Sequence, residues 1–335
     1  MKTRIVSPTG ASRREFITLA ASAALAPVMG TRAARAASWQ PSRNVRLVVP
    51  FAAGGANDII ARVLGERLSA MWGQQVYIEN KPGAGSNIGT VEVTRAEPDG
   101  HTLLITSSAV SVNRFLYAKL PFDAGADLAP VSLVAIIPNV MVVPVNSQAR
   151  SVADFIRTAK AKPGALNYGS AGIGSSLHLI GELFKRAAAI DMRHVPYGGA
   201  GPAMNDLIAG RLDVMFDTAT VSMSQLRGGT IRALGISTRE RLPALSDVPP
   251  IADTVPDFDV GSWFALYYPA KTPREVVEKV SEDVRTALQH EAARKRLEDL
   301  GARIIASSPD ELAKHMREES ERWGVVIREA NIRAD

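Results

Sequence analysis

The chain has 335 residues, 46% hydrophobic and 22% charged, with 39 Lys and Arg against 34 Asp and Glu and a formal charge of +5. This is globular composition, with length for about two domains and their cores, and it excludes disordered and collagen-like classes. Residues 1–36 hold six basic side chains against the lone acid Glu15, so they carry the whole net charge, and the remainder balances 33 basic with 33 acidic residues. That remainder shows no basic cluster, so no nucleic-acid partner is expected. No run of about 20 apolar residues follows residue 36, so no membrane span is expected there.

Residues 1–36 read as a signal peptide: a basic start, an apolar stretch from Ile17 to Met29, and the small-residue end Ala34-Arg35-Ala36, which sets cleavage before Ala37. Ser12-Arg13-Arg14-Glu15-Phe16-Ile17 resembles the twin-arginine export motif, with Thr18 where Lys is common. The competing reading is a general secretory peptide with an incidental Arg pair. Either way the expected compartment is the periplasm. There is no cysteine, which removes disulfides, thiolate metal sites, a cysteine nucleophile and a lipid-anchored cysteine. A freely diffusing monomer is expected.

Val45-Arg46-Leu47-Val48-Val49 predicts a buried strand, Gly54-Gly55 a loop, and Ile59, Ile60, Val63, Leu64, Leu68 and Met71 a helix. The unit recurs at Val76-Tyr77-Ile78, the loop Lys81-Pro82-Gly83-Ala84-Gly85 and a helix through Ile88 and Val91. It recurs again at Leu166-Asn167-Tyr168, a loop from Gly169 to Gly174 and a helix from Ser176 through Leu183. This alternation predicts an α/β fold of mixed, mainly parallel sheets flanked by helices. Ser151 with Asp154, Thr272-Pro273 with Glu275, and Ser308-Pro309 with Glu311 predict capped helix starts. Pro202 suits a first turn, and Gly164, Gly210 and Gly301 suit helix ends. The β-rich stretch from Pro130 to Asn146, broken at Pro138, and the later stretch Trp263 to Tyr268 are expected to cross between two lobes. The first lobe would then be discontinuous, residues 37–138 and 263–335, around a second of residues 139–262, with a cleft and a hinge.

Pro50-Phe51-Ala52-Ala53-Gly54-Gly55-Ala56-Asn57-Asp58 ends at a helix start, where unpaired amides and the positive end of the helix dipole favour an anion. Tyr168-Gly169-Ser170-Ala171-Gly172-Ile173-Gly174-Ser175-Ser176 ends at another and adds hydroxyls. Facing each other across a cleft, they would hold two anionic groups, as in a small dicarboxylate; the plainer reading is that such turns only permit tight packing. Neither loop contains Lys or Arg, so recognition would rest on amides, hydroxyls and ordered water. His178 would fix the second loop or a ligand oxygen, or make a structural hydrogen bond. Asp58 is a cap or a ligand group. Tyr197 and Asp217 stand at predicted strand ends, which face the cleft in open α/β sheets, with core packing and solvation as their alternatives.

Enzyme signatures are weak. Gly83-Ala84-Gly85-Ser86-Asn87-Ile88-Gly89 sets its third glycine one place late for a dinucleotide fingerprint, and no phosphate-loop sequence occurs. Ser170 lacks the spaced glycines of a nucleophile elbow. His101, His178, His194, His290 and His315 show no metal-ligand spacing. No cofactor, metal or catalysis is expected; a secreted hydrolase using Ser170 or Ser175 with His178 as base is the weaker alternative.

Taken in order, Pro50-Phe51 with Gly54-Gly55 and Asp58, Asn80-Lys81-Pro82-Gly83-Ala84-Gly85, Tyr168-Gly169-Ser170 through Gly174-Ser175 with His178-Leu179, Val195-Pro196-Tyr197, and Gly210-Arg211-Leu212-Asp213 with Phe216-Asp217 resemble the Bug family. These are the TctC-like solute-binding receptors of tripartite tricarboxylate transporters. The resemblance spans the mature chain through the amphipathic helix around Trp323. It implies a two-lobed periplasmic binding protein fold, type II-like, that closes on a carboxylate. Phe51, Gly54, Gly55, Ala56 and Asn57 would line the first jaw, and Ser170, Ala171, Gly174, Ser175 and Ser176 the second. Asp58, Ser107, His178, Tyr197 and Asp217 complete the expected ligand set. Ala52-Ala53 stand where the family often has prolines, Asn57 where Thr or Ser is frequent, and Gly198 where Lys is common. The ligand therefore stays open among tricarboxylates, dicarboxylates, aromatic acids, amino acids and uncharged compounds. Delivery to the membrane permease subunits is implied, with docking on a two-component sensor kinase as the alternative.

Overall fold

The computed structural model describes Thr3, residues 39–329 and residues 332–334, so the predicted signal peptide lies outside the described residues. The first part of the chain runs β1 (Val45–Val49), α1 (Ala56–Trp72), β2 (Val76–Asn80), α2 (Asn87–Thr94), β3 (Thr102–Ser107), α3 (Ala109–Leu116), the single turn α4 (Ala124–Asp127) and β4 (Leu128–Pro144). Then come α5 (Val152–Ala161), β5 (Asn167–Ser170), α6 (Ser176–Ala187), β6 (Arg193–Pro196), α7 (Ala200–Ile208), β7 (Val214–Thr218), α8 (Ala219–Arg227) and β8 (Ile231–Ile236). The chain closes with β9 (Gly261–Pro269), α9 (Arg274–Gln289), α10 (Glu291–Glu298), β10 (Arg303–Ile304) and α11 (Pro309–Glu329).

Two sheets share one strand. In the first, β1 is parallel to β2 and β3, β9 runs antiparallel to β3 and β4, and β10 edges β4. In the second, β5 is parallel to β6 and β7, and β4 lies antiparallel between β7 and β8. Each of the six parallel strands is followed by a helix, through a glycine loop after β1, β2, β5 and β6 and without one after β3 and β7; every antiparallel pair involves β4 or β9. The 17-residue β4 faces β9 from Leu128 to Pro138 and β7 and β8 from Asn139 onward. Both ends sit in packed surroundings, which explains its nearly unbroken apolar sequence. The second expected crossing strand does not cross. β9 pairs only within the first sheet, and the return passes just ahead of Gly261, where the Val260 amide donates to the Ser237 carbonyl at 3.0 Å.

Asn139, fully buried, ties this crossing together. Its Nδ2 donates to the Phe216 carbonyl at 2.8 Å, and its Oδ1 accepts from the Ser262 amide at 3.1 Å and the Ser262 hydroxyl at 2.8 Å. Helix starts follow the sequence reading at two of three sites. The Ser151 hydroxyl accepts from the Asp154 amide at 3.1 Å, and Ser308 and Glu311 cap each other reciprocally at 2.7 and 3.3 Å. At the third, α9 begins at Arg274 after Pro273 with no side-chain cap, and the Thr272 hydroxyl is buried without a partner. Proline there removes a donor and presets the first turn.

Candidate functional site

Five helix N-termini converge on one cavity. Gly55, Ala56 and Asn57 open α1, Ser175, Ser176 and Leu177 open α6, Ala200 opens α7, Thr218 precedes α8, and Ser107 precedes the cap of α3. Four of these helices, α1, α3, α7 and α8, have no side-chain cap, so their first-turn amides are left for another acceptor. Phe51, Ala171, Ser262 and Phe264 complete the wall, and no charged side chain lines it. The Asn57 side-chain oxygen and the Thr218 hydroxyl are buried without a protein partner, a state that costs about 1–3 kcal/mol per group until something bonds them. The arrangement favours a small acceptor-rich anion held by oriented dipoles, with hydroxyls to fix its pose.

The centre of a water-sized sphere can range over about 30 Å3 in the cavity, room for about two waters. The jaws stand nearly shut. The Ala52 amide donates to the Gly198 carbonyl at 2.9 Å, and the Ser108 and Ser176 hydroxyls lie 2.8 Å apart. Gly85, at φ +59°, approaches so closely that a Cβ would fall 2.2 Å from the Ile173 carbonyl oxygen. Glycine is required there on both counts.

Of the residues singled out from sequence, Phe51, Gly55, Ala56, Asn57, Ser107, Ala171, Ser175 and Ser176 line the cavity. The other seven do not line it: Asp58, Ser170, Gly174, His178 and Asp217 are buried, Tyr197 is half-buried and Gly54 is exposed. Asp58 Oδ2 accepts from the Gly54 amide at 3.0 Å, and Arg62 grips both carboxylate oxygens at 3.0 and 2.9 Å. Burial favours the neutral acid, but Arg62, the Gly54 amide and Asn80 together hold the carboxyl below the usual range. Asp58 therefore braces the first loop with its charge already matched.

The second loop rests on a histidine pair. His178 Nδ1 accepts from the Gly174 amide at 3.1 Å, which fixes the neutral imidazole with its proton on Nε2. His178 stacks on His194, ring centres 4.1 Å apart, and His194 stacks on Tyr168 at 4.8 Å. His194 Nε2 lies 2.6 Å from the Ser170 hydroxyl, which also accepts from the Gly172 amide at 3.1 Å. Burial, with Lys185 nearby, lowers His178 to about 4; burial, with His178 and Lys185, lowers His194 to about 3. The hydrolase geometry is not formed: the Ser175 hydroxyl donates to the Gly172 carbonyl at 2.6 Å, and His194, not His178, meets the fully buried Ser170.

The Tyr197 hydroxyl donates to Asp206 at 2.6 Å, and burial with this bond pushes it up to about 12. Asp217 is fully buried, and burial raises it to about 7 against the Thr218 amide at 2.8 Å and the Ser222 hydroxyl at 3.2 Å. Sequence reasoning missed Leu177, Ala200, Thr218, Ser262 and Phe264. Thr218 follows Asp217 at the same strand end and Ala200 follows Gly198-Gly199, so the strand-end rule reached their neighbours. Ser262 and Phe264 carry no local signal, because only the pairing of β9 with β3 and β4 brings them to the cleft.

Two sheets joined by one crossing strand, with helix N-termini turned on an uncharged cleft, match the solved periplasmic solute-binding proteins. More narrowly, the chain belongs to the receptor family of tripartite tricarboxylate transporters, the TctC or Bug family, whose sequence profile matches residues 60–332. The family is one of non-enzymatic receptors. BugT of Bordetella pertussis is 32% identical over 307 residues, 91% of this chain and 94% of BugT. An R. palustris protein solved with adipate is 36% identical with a TM-score of 0.85, over 88% of this chain and 99% of that one. MatC from Rhodopseudomonas palustris, with bound malate, is 34% identical with a TM-score of 0.82, over 86% and 99%.

Proposed function

We propose that this protein captures a small organic acid, a di- or tricarboxylate or an aromatic carboxylate, between the β1–α1 and β5–α6 loops and delivers it to the membrane permease of a tripartite tricarboxylate-type transporter. The observation that carries this reading is the convergence of five helix N-termini on a cavity without charged side chains. Such a site binds an anion through amides and hydroxyls, and no fixed cation has to be broken away at release. The relatives that carry adipate and malate support the ligand class.

We take the lobes to follow the sheets, 37–138 with 261–335 and 139–260, two residues earlier at the return than the sequence expectation because Gly261 and Ser262 already pair in the first sheet, with the hinge where β4 changes sheets at Asn139 and where the chain returns before Gly261. Ligand entry requires the lobes to part, because the jaws touch through Ala52, Gly198, Ser108 and Ser176. The cavity, with room for about two waters, must widen to admit a dicarboxylate, and the bound form then gains a ligand bridge that the open form lacks. A thermal-shift screen with mono-, di- and tricarboxylates, aromatic acids and amino acids tests the reading, since ligand at about 100 times its Kd adds roughly 2.7 kcal/mol. An upward shift confined to one acid class is expected; a shift with uncharged analogues alone would overturn the carboxylate assignment.

A further inference from the structure

Helix α3 touches both jaws on one side and faces outward on the other. At its start Ser107 lines the cavity and Ser108 meets Ser176; further along, Asn113 Nδ2 donates to the Gly85 carbonyl at 2.9 Å. A Cβ on Gly174 of the second jaw would lie 2.4 Å from Asn113 Oδ1. The outward side, with Val110 and Arg114, faces α11 across a groove of about 480 Å3 lined by Leu120, Phe122, Leu128 and Met316. At Arg114 it joins a second hollow of about 410 Å3, bounded by Ile327, Arg328 and Arg333.

The groove is basic. Arg114 and Arg328 lie over the same Phe115 ring, 5.0 and 5.5 Å from its centre, and Gly324 lets that ring pack against α11, where a Cβ would come within 2.8 Å of it. Arg114, Arg317, Arg328 and Arg333 form no ion pair with any described residue. The acid in the lining, Asp123, already accepts from the Gly125 amide at 2.8 Å. Arginines on an apolar floor match a carboxylate-bearing segment with hydrophobic anchors. A bilayer surface is flat and would meet the rim without reaching the floor.

We infer that this groove docks an acidic, apolar-anchored peptide segment of the membrane transporter, an inference that rests on the receptor reading above. Both walls are first-lobe helices, yet they pack against both sheets: Val110, Leu312 and Met316 pack with first-sheet residues, and Leu116, Trp323 and Ile327 with second-sheet residues. Lobe movement therefore reshapes the groove, and the transporter distinguishes the closed receptor from the open one there.

The test uses two fluorescein-labelled amphipathic peptides, one alternating Glu with Leu and Phe and one with Lys in place of Glu, together with phosphatidylglycerol vesicles. For the Arg114→Glu/Arg328→Glu variant, fluorescence anisotropy should show the Glu peptide bound roughly tenfold more weakly than by the unaltered protein, and the Lys peptide bound only by the variant. The variant's acid-induced thermal shift should match that of the unaltered protein, because neither arginine lines the cleft, and its melting temperature reports separately what the two lost contacts with the Phe115 ring contribute. Equal affinity of the Glu peptide for both proteins, no binding of it, or arginine-dependent vesicle binding in its place would overturn the proposal. Loss of the acid-induced shift in the unaltered protein would strike the receptor reading instead, while the peptide result stands separately.

Discussion

Adding one methyl group at Gly201 should weaken ligand binding without touching the ligand. Gly201 lies in the first turn of α7 and has no positive φ, so alanine fits its backbone. A Cβ there would stand 2.9 Å from the Ala53 carbonyl oxygen in the opposite jaw, with the next atoms at 3.9 Å. Ordinary contact begins near 3.4 Å, so closure must stop about half an ångström short. Overpacking of this kind costs about 1–3 kcal/mol, and only the closed form bears it, which translates to roughly 5- to 150-fold in Kd. The open form gains up to about 1 kcal/mol from alanine in a helix. Calorimetric titration of Gly201→Ala with the acid found in the screen should therefore show weaker binding beside unchanged or raised ligand-free stability. A Kd within twofold of the unaltered protein would refute closure through this seam.

Asn139→Ala strands the Phe216 carbonyl and the Ser262 amide at the crossing and should lower stability by roughly 3 kcal/mol in urea unfolding; a loss under about 1 kcal/mol would deny Asn139 its role. Asp217 has a folded pKa of about 7, raised above its unfolded value, so the stability it contributes is complete below about pH 4 and is lost as pH rises through 7. Asp217→Asn should then gain up to roughly 4 kcal/mol over the unaltered protein at pH 8 and nothing at pH 4, as read by denaturation at each pH; a pH-independent difference would contradict the buried carboxyl. His178 behaves oppositely. Its folded pKa of about 4 lies below the unfolded value, so the unfolded chain takes up the proton first and stability falls as pH drops from about 6.5 to 4, by roughly 3 kcal/mol. His178→Gln should flatten that part of the acid limb, leaving the contribution of His194, and an unchanged slope would exclude His178 as a source.

The strand, glycine loop and helix units were legible because each is encoded locally, by apolar spacing and a chain break. The crossing at β4 was legible because its β-rich run is broken at Pro138 and continues beyond it, and the strand changes sheets at the next residue, Asn139. What β9 does was not, since pairing with β3 and β4 depends on distant partners, and Ser262 and Phe264 reach the cleft only through that pairing. Asp58 and His178 were located by sequence but turned away from the cavity in space. Asp58 meets Arg62 one turn on, and His178 takes the Gly174 amide, so both hold the loops whose backbones face the ligand. Thr272 shows the limit of capping patterns, which specify spacing but not whether a following proline moves the helix start.

The central claim, that helix N-termini in the cleft hold a carboxylate, is tested most directly by calorimetric titration with one dicarboxylic acid from the screen and its uncharged diamide. The account predicts saturable binding of the acid and at least a hundredfold weaker binding of the diamide, a difference of about 2.7 kcal/mol. Equal affinity for the two would contradict it.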